Sequence, residues 1–189
     1  MGVHLCAAWA NAGYDVTLCG RKKEKAQDIV DELLAGKGYQ KKVEGKLAGQ
    51  GDYCVPACDA SSWRLKAGDN AAAAEADIIV LGTPFEQVWK EDGQGALQVL
   101  EPLIRGKGKT ILDMSNPFLS RPDGYGSGLP ESYAGPQAGI LYHQAMLNDA
   151  TVKWVGAYKH VMWTLILPHG PANPSRPDIE VFGDPEAVE

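Results

Sequence analysis

Residues 1–23 read "MGVHLCAAWANAGYDVTLCGRKK", and the order of features in this stretch decides the fold. Gly2 precedes a run of small and apolar residues with helical spacing, which predicts a helix with one apolar face. Gly13 fits the C-cap of that helix, and residues 14–19 alternate as a short strand that Gly20 ends. A basic cluster follows the strand. These features in this order are typical of the second half of a dinucleotide-binding unit.

Strands and helices alternate through the rest of the chain. The further predicted helices are "RKKEKAQDIVDELLAGKG", "DNAAAAEA", "FEQVWKEDGQGALQVLEPLI" with a break near Gly93, "GILYHQAML" and a first turn in "DPEAVE". The further predicted strands are "DIIVLGTPF", "GKTILDMSNPF", "VKWVGAYKHVMW" and "IEVFG". This alternation implies parallel strands joined by crossover helices. We therefore predict an α/β fold with a doubly wound, mostly parallel, Rossmann-like sheet, formed by residues 1–189 as a single domain.

Two stretches interrupt this alternation. Residues 39–70 are glycine-rich and mixed in charge, and we predict an irregular excursion with one short strand near Tyr53–Val55. Residues 120–137 hold many Gly, Pro and Ser residues and are predicted as a long loop. A long loop in a compact domain is more often functional than idle.

Composition and charge exclude several classes of protein. Hydrophobic residues make up 44% of the 189 residues and charged residues 22%, which is normal for a soluble globular protein. The apolar runs contain breakers or charges and fall short of the roughly 20 residues that cross a bilayer. The formal net charge of -6 argues against a dedicated nucleic-acid binder. We therefore expect a small-molecule partner and neither a nucleic acid nor a membrane.

The cysteines favour a reducing compartment. Cys6, Cys19, Cys54 and Cys58 are spread over different kinds of segment, and no metal-binding spacing is completed by histidine or further cysteine. We interpret them as reduced packing residues of an intracellular, cytoplasmic protein. The alternative is a redox pair or a disulfide between Cys54 and Cys58.

Gly2 fits the last part of a glycine motif whose beginning lies outside the sequence. In the dinucleotide fold, the first strand runs into G-x-G-x-x-G and occupies the centre of the sheet. The first strand and the first part of the glycine loop are missing here, so we expect the sequence to be a fragment. Met1 would then be an internal methionine or a start set too late in the gene, and the chain also lacks the strand expected after "DPEAVE". The alternative is an ordinary glycine after an initiator methionine.

The turn after the second predicted strand favours a phosphorylated cofactor. An NAD-binding fold places Asp or Glu there for the ribose, whereas this chain has Arg21, Lys22 and Lys23. Arginine can bind a phosphate with two hydrogen bonds, so the cluster suits the 2′-phosphate of NADP. The alternative is a solvated charge run, although positive charge at a helix N-terminus opposes the helix dipole.

Two later strands end in a hydroxyl residue followed by proline. In open parallel sheets, ligands bind beyond the carboxyl ends of the strands. Thr83-Pro84 and Ser115-Asn116-Pro117 are therefore expected along the nicotinamide half of the cofactor. Proline fixes its backbone dihedral and removes an N–H, which ends the strand. Each pair taken alone is an ordinary turn.

Taken together, five segments resemble the NADP-binding domain of the deazaflavin-dependent NADP oxidoreductases, which is grouped with the N-terminal domain of pyrroline-5-carboxylate reductases. They are "MG…AAWANAGYDVTLCGRKKEKA", "EADIIVLGTPFEQV", "GKTILDMSNPF", "VKWVGAYKHV" and "IEVFGDPEAVE". The resemblance implies hydride transfer between the nicotinamide of NADP(H) and a small redox partner or substrate, with a deazaflavin or flavin as a candidate second carrier.

The resemblance also implies a set of cofactor-binding residues, and a homodimer is a further expectation. That set is Gly2, Arg21, Lys22, Thr83, Pro84, Asn116 and Pro117, with Ala157 approaching the nicotinamide. One departure concerns the substrate contact, because Lys159 stands where many relatives have Asn.

Two further functions stay open, and no catalytic residue is assigned. One is a non-catalytic, degenerate nucleotide-sensing or structural domain. The other is an imine or ketone reductase, which would need a proton donor such as His143 or His160, although we favour packing roles for both. Asp113 is interpreted as a strand-boundary residue. The tryptophans interpreted as core residues are Trp89, Trp154 and Trp163.

Overall fold

The computed structural model describes most of the chain as two compact units. The described residues are 2–41, 53–55, 57–121, 124–127, 129, 134–135, 138–159 and 180–188. Those of the first unit lie within Met1–Ala73, and those of the second within Ala74–His160 and Ile179–Glu189. Helices and parallel strands make up both units, which confirms the predicted α/β class.

The first unit packs helices on a two-stranded parallel sheet. Its elements are α1 (Gly2–Asn11), β1 (Asp15–Cys19), α2 (Lys23–Leu34), β2 (Tyr39–Lys41), β3 (Tyr53–Val55), β4 (Arg64–Gly68) and the start of α3 (Asn70–Glu75). Strands β1 and β4 are parallel, and β2 and β3 form an antiparallel pair. Small residues of α1 such as Ala7 and Ala10 are fully buried in the core with Val30 and Leu33 of α2. Gly13 has a φ of 92°, as the predicted C-cap requires.

The second unit is built on a four-stranded sheet. Its elements are β5 (Ile78–Leu81), α4 (Phe85–Val88), α5 (Ala96–Ile104), β6 (Thr110–Asp113), β7 (Phe118–Arg121), β8 (Gly124–Ser127), α6 (Gly139–Leu147), β9 (Lys153–Ala157), β10 (Val181–Gly183) and α7 (Pro185–Val188). The strand order is β10-β9-β6-β5, with β5, β6 and β9 parallel and β10 antiparallel at the edge. Strand β6 therefore has a parallel neighbour on each side, and Ile111 at its centre is fully buried.

The parallel strands belong to two separate sheets. Within the described residues, β1 pairs with β4, and β5 pairs with β6.

The structure differs from the prediction in the two stretches expected to be irregular. Residues 39–70 contain β2 and β4 as well as the predicted strand at Tyr53–Val55. In β4, Leu65 is buried between the exposed Arg64 and Lys66, so a single inward residue was too weak a signal for a strand. Strands β7 and β8 form a hairpin where the predicted loop at 120–137 begins. The remainder of that loop lies largely outside the described residues.

None of the helices in the described part of the chain has the length and apolar character needed to cross a bilayer.

The backbone of β10 packs closely against that of β9 at Gly183, and a substitution there tests this contact. Gly183 has a φ of 149°, and a Cβ at this position would lie 2.0 Å from the carbonyl oxygen of Trp154. We expect Gly183→Ala to lower the free energy of unfolding by about 2–4 kcal/mol, because both the backbone strain and the clash must be relieved. Urea unfolding followed by tryptophan fluorescence measures the loss.

Gly93→Ala is the matched control. Gly93 has a φ of 74° but no atom within 4 Å of the added Cβ, so only backbone strain of about 1 kcal/mol is expected. Equal losses in the two variants would contradict the close approach of β10 to β9.

Candidate active site

Three neighbouring parallel strands of the second unit end at the same edge of the sheet. Strand β5 runs towards Thr83 and Pro84, β6 ends at Asp113 directly before Met114 and Ser115, and β9 ends before Tyr158 and Lys159. Carboxyl ends of parallel strands are where ligands bind in doubly wound folds. The side chains that follow these strands are therefore the first place to look for a site.

A buried carboxylate lies at the centre of this edge. Asp113 has no exposed surface, and its Oδ1 accepts hydrogen bonds from the backbone N–H and the hydroxyl of Ser115, at 2.8 Å and 2.7 Å. Its Oδ2 lies 3.2 Å from Lys159 Nζ and 3.1 Å from His143 Nδ1. Both oxygens thus have two partners, which is the condition for keeping a charged carboxylate away from water.

The charges of Asp113 and Lys159 stabilise each other. Burial is the largest effect on Asp113 and opposes its charge, but the hydrogen bond from His143 and the charge of Lys159 outweigh burial, and the pKa of Asp113 is lowered. Burial also dominates at Lys159 and lowers the pKa of its ammonium group, while Asp113 acts in the opposite direction. We conclude that Asp113 is a carboxylate at neutral pH and that Lys159 is a stronger acid than an exposed lysine.

His143 completes the cluster from α6. Its ring is fully buried and stacks on Phe85, with centroids 4.5 Å apart and planes at 27°. Because Asp113 is a carboxylate and can only accept, the ring nitrogen Nδ1 of His143 carries a proton and donates it to Asp113 Oδ2. Nε2 has no hydrogen-bond partner in the described part of the chain.

Hydrogen bonds also connect the loops that follow β6 and β9. Asn116 Nδ2 donates to the carbonyl oxygen of Lys159 at 2.7 Å, and Lys159 Nζ donates to the carbonyl oxygen of Ser115. Tyr158 lies between β9 and Lys159 with a φ of 59°, in the left-handed region. A non-glycine residue held in this region is strained by about 1–3 kcal/mol and is more frequent at functional sites.

Gly139 brings the loops after β5 and β6 to the start of α6. A Cβ at Gly139 would lie 3.0 Å from Phe85 Cε2 and 3.0 Å from Pro117 Cδ. A side chain at this position would therefore push both Phe85 and Pro117 away from α6. Glycine permits their close approach to this helix, which carries His143.

The predicted nicotinamide-side residues all lie at this edge, with different exposure. Ser115 and Ala157 are buried, Asn116 and Pro117 are half-buried, and Thr83 and Pro84 are exposed before α4. Ser115 and Asn116 contact Asp113 or Lys159 directly.

The ionisable cluster is not predicted from the sequence. Asp113 is interpreted there as a strand-boundary residue, His143 as a packing residue, and Lys159 only as a departure from relatives. The available signal was an acidic residue at the end of a buried strand, two residues before a serine. The alternative donor His160 and the predicted core residue Trp163 lie outside the described residues.

The predicted adenosine-side residues lie in the first unit. Gly2 is the first residue of α1, and Arg21 and Lys22 are exposed in the turn between β1 and α2. Lys22 is the N-cap of α2, with extended backbone. Lys22 makes no side-chain capping hydrogen bond, and the exposed cations of this turn are donors of the kind that bind phosphate. The nearby open depression of about 280 Å³ is less suitable, because Glu24 and Asp28 lie among its four lining residues.

The thiols of the first unit behave as packing groups. Burial raises the pKa of Cys6 to about 12 and that of Cys19 to about 11. Cys6, Cys19 and Cys58 are free cysteines, and burial also raises the pKa of Cys58. Thiols of this kind stay protonated at neutral pH and are poor nucleophiles. The side chain of Cys54 lies outside the described residues.

Comparisons with known proteins support the fold. No family model matches the chain, and no curated protein matches it by sequence. Among solved structures, a candidate F420-dependent NADP reductase from Arthrobacter sp. FB24 is similar, with a TM-score of 0.57 and 18% identity. The match covers 98% of this chain and 70% of that protein.

A second similar structure is the hypothetical protein SMa0349 from Sinorhizobium meliloti, with a TM-score of 0.55 and 13% identity. The match covers 87% of this chain and 59% of that protein. At such low identity both structures support a shared Rossmann-like fold and nothing finer.

Proposed function

We propose that the chain is an NADP(H)-dependent oxidoreductase that transfers hydride between the nicotinamide and a small redox partner or substrate. One observation carries this proposal: the residues selected from the sequence for the nicotinamide end lie at the carboxyl ends of β5, β6 and β9, three adjacent parallel strands. The likeness in fold to a candidate F420-dependent NADP reductase supports the same class of chemistry.

The cofactor would be held at two places on the chain. Arg21 and Lys22 would bind the 2′-phosphate of the adenosine end, with Gly2 at the start of α1 near the pyrophosphate. Thr83, Pro84, Ser115, Asn116, Pro117 and Ala157 would line the nicotinamide end. When bound, NADP(H) supplies or accepts the hydride.

The protein's own contribution is to fix the strand ends. The bonds of Asp113 to Ser115 and Lys159, and of Asn116 to the Lys159 carbonyl, hold the loops after β6 and β9 in one geometry. The buried Phe85 covers one face of His143 and excludes water from the cluster. A rigid, dry edge of this kind orients two reacting rings.

A deazaflavin or flavin is one candidate for the second carrier, beside a small reducible substrate. The similar Arthrobacter protein is described as F420-dependent, and F420 is a deazaflavin. Such a ring could receive hydride without an obligatory acid from the protein.

Removal of Arg21 tests the phosphate contact. We expect Arg21→Ala to weaken NADPH binding by about 10- to 100-fold and NADH binding by less than about 2-fold, because only NADPH carries the 2′-phosphate. Titration followed by nicotinamide fluorescence measures both affinities. Lys25→Ala, at an exposed position two residues after the start of α2, is the control for loss of a positive charge. Equal weakening of NADPH and NADH would contradict the assignment.

The same titration, combined with an assay of NADPH oxidation, separates the oxidoreductase from the non-catalytic alternative. A chain that binds NADPH but transfers no hydride to a deazaflavin, a flavin or an imine would favour nucleotide sensing.

A further inference from the structure

We propose that Lys159 is the proton donor of this site and that the substrate is a compound whose polar C=O or C=N bond is reduced. The inference rests on the proposed function, which supplies the hydride. It extends that function to a substrate class that requires an acid from the protein.

Lys159 is the group in the cluster that retains a path to solvent. Its side chain is 17% exposed, whereas Asp113 and His143 have no exposed surface. An ammonium group has three N–H donors. Two of them point to acceptors, the Ser115 carbonyl and Asp113 Oδ2, and among the residues that the structure describes the third N–H has no acceptor, so we assign it to a substrate atom at the strand edge.

The other two ionisable groups do not suit the role. Asp113 accepts four hydrogen bonds and is a carboxylate, so it has no proton to give. The ring of His143 has no exposed surface, and its Nδ1 proton is bound by Asp113 Oδ2. We therefore treat His143 as a positioning residue that fixes Asp113.

The proposed step balances for a ketone. Hydride from the reduced nicotinamide adds to the carbonyl carbon, and the π electron pair of the C=O bond moves to oxygen. One N–H bond of Lys159 breaks as the new O–H bond forms, and the lysine is left as a neutral amine. Water then returns a proton to the amine. The substrate is reduced, the nicotinamide is oxidised, and Asp113 remains a carboxylate throughout.

The environment of Lys159 makes it a stronger acid than an exposed lysine. The groups facing Nζ are Asp113 from β6 and, behind it, His143 from α6. Burial lowers the pKa of Lys159 from its usual range, and the Asp113 charge keeps the ammonium form populated. A general acid is most effective when its pKa lies near the working pH.

Two acceptors of similar size distinguish a donor from a purely structural lysine. Cyclopentanone needs a proton on oxygen when it takes hydride. An N-methylpyrrolinium cation becomes a neutral amine when it takes hydride and needs no proton.

Two variants of Lys159 separate its charge from its acidity. Lys159→Arg retains the positive charge beside Asp113 but is too weak an acid to donate, and Lys159→Met removes both charge and proton. Lys153→Met, at the opposite end of β9, is the control.

The expected result is a selective loss. Lys159→Arg should lower kcat for cyclopentanone by about 10²- to 10⁴-fold, the usual contribution of a general acid. The same variant should lower kcat for the pyrrolinium cation at least about 10-fold less than kcat for cyclopentanone, because both reactions depend on the loop geometry that Lys159 holds but only the ketone needs its proton. NADPH affinity, measured by fluorescence, reports any loss of cofactor binding separately. In the wild type, ketone reduction should decline as pH rises through the Lys159 pKa, while reduction of the cation should not.

A readout independent of turnover completes the test. In NMR spectra of lysine-labelled protein, one side-chain resonance should titrate at a lower pH than those of the other lysines. This resonance should be absent from the spectrum of Lys159→Met. That resonance should remain in Lys153→Met.

Three outcomes overturn the inference. They are equal loss of both reactions in Lys159→Arg, undiminished ketone reduction in that variant, and a wild type that reduces neither acceptor. The proposed function fails separately if the wild type does not bind NADPH.

Discussion

The Asp113→Asn variant is expected to lose about 3–5 kcal/mol of unfolding free energy at neutral pH, which is the usual cost of breaking a buried ion pair by removing one partner. The amide nitrogen of Asn cannot accept the hydrogen bonds that Lys159 and His143 now make to Oδ2. The lysine would keep its charge in a largely buried place without a counter-ion. Urea unfolding followed by tryptophan fluorescence measures the loss.

The loss should also depend on pH. The pKa of Asp113 is lower in the folded chain than in the unfolded one. Its contribution to stability is therefore fully present above the unfolded pKa and disappears as pH falls through the folded pKa. The difference in unfolding free energy between the wild type and Asp113→Asn should shrink over that acid range.

Variants of Lys159 supply the control for this prediction. In a double-mutant cycle of Asp113→Asn and Lys159→Met, the two losses should not add, because both remove the same ion pair. Additive losses, or a difference from the wild type that does not change with pH, would contradict the proposed pairing.

The Phe85→Ala variant has the second large expected effect. Phe85 is 6% exposed and packs against Tyr142, with ring centroids 5.7 Å apart, as well as against His143. Truncation of a buried phenylalanine costs about 3–5 kcal/mol, because apolar contact is lost and a cavity remains. The cavity would lie beside the imidazole ring, so water could reach the cluster. Thermal and urea unfolding measure the effect.

Phe182→Ala is the matched control. Phe182 lies on the edge strand β10 and is 45% exposed, so its removal should cost about 1 kcal/mol. If Phe85→Ala and Phe182→Ala lost the same unfolding free energy, this would contradict the close packing of Phe85 against His143.

The sequence predicts most of the elements because their signals are local. The alternation in β1, the continuous apolar run of β5 and the glycine that separates α4 from α5 each lie within one short segment. Strand β4 was missed because only Leu65 and the close-packed Gly68 are buried on a short, charged segment.

The ionisable cluster could not be predicted in the same way. Thirty residues separate Asp113 from His143, and Lys159 lies farther along the chain than either. No spacing rule joins a strand end, the middle of a helix and a loop. Only the parallel pairing of β6 with β9, and the packing of α6 against β9, bring these side chains within hydrogen-bonding distance. Chemistry-bearing residues of this kind become visible when the fold is known.

The most direct test of the cofactor assignment is hydrogen–deuterium exchange of the chain with and without NADPH. We predict that NADPH slows exchange in three short segments, the turn at 20–23, the loop at 114–116 and the residues 157–159 after β9. If NADPH leaves exchange in all three unchanged, the chain does not bind a nicotinamide cofactor at its parallel strand ends, and the oxidoreductase proposal is wrong.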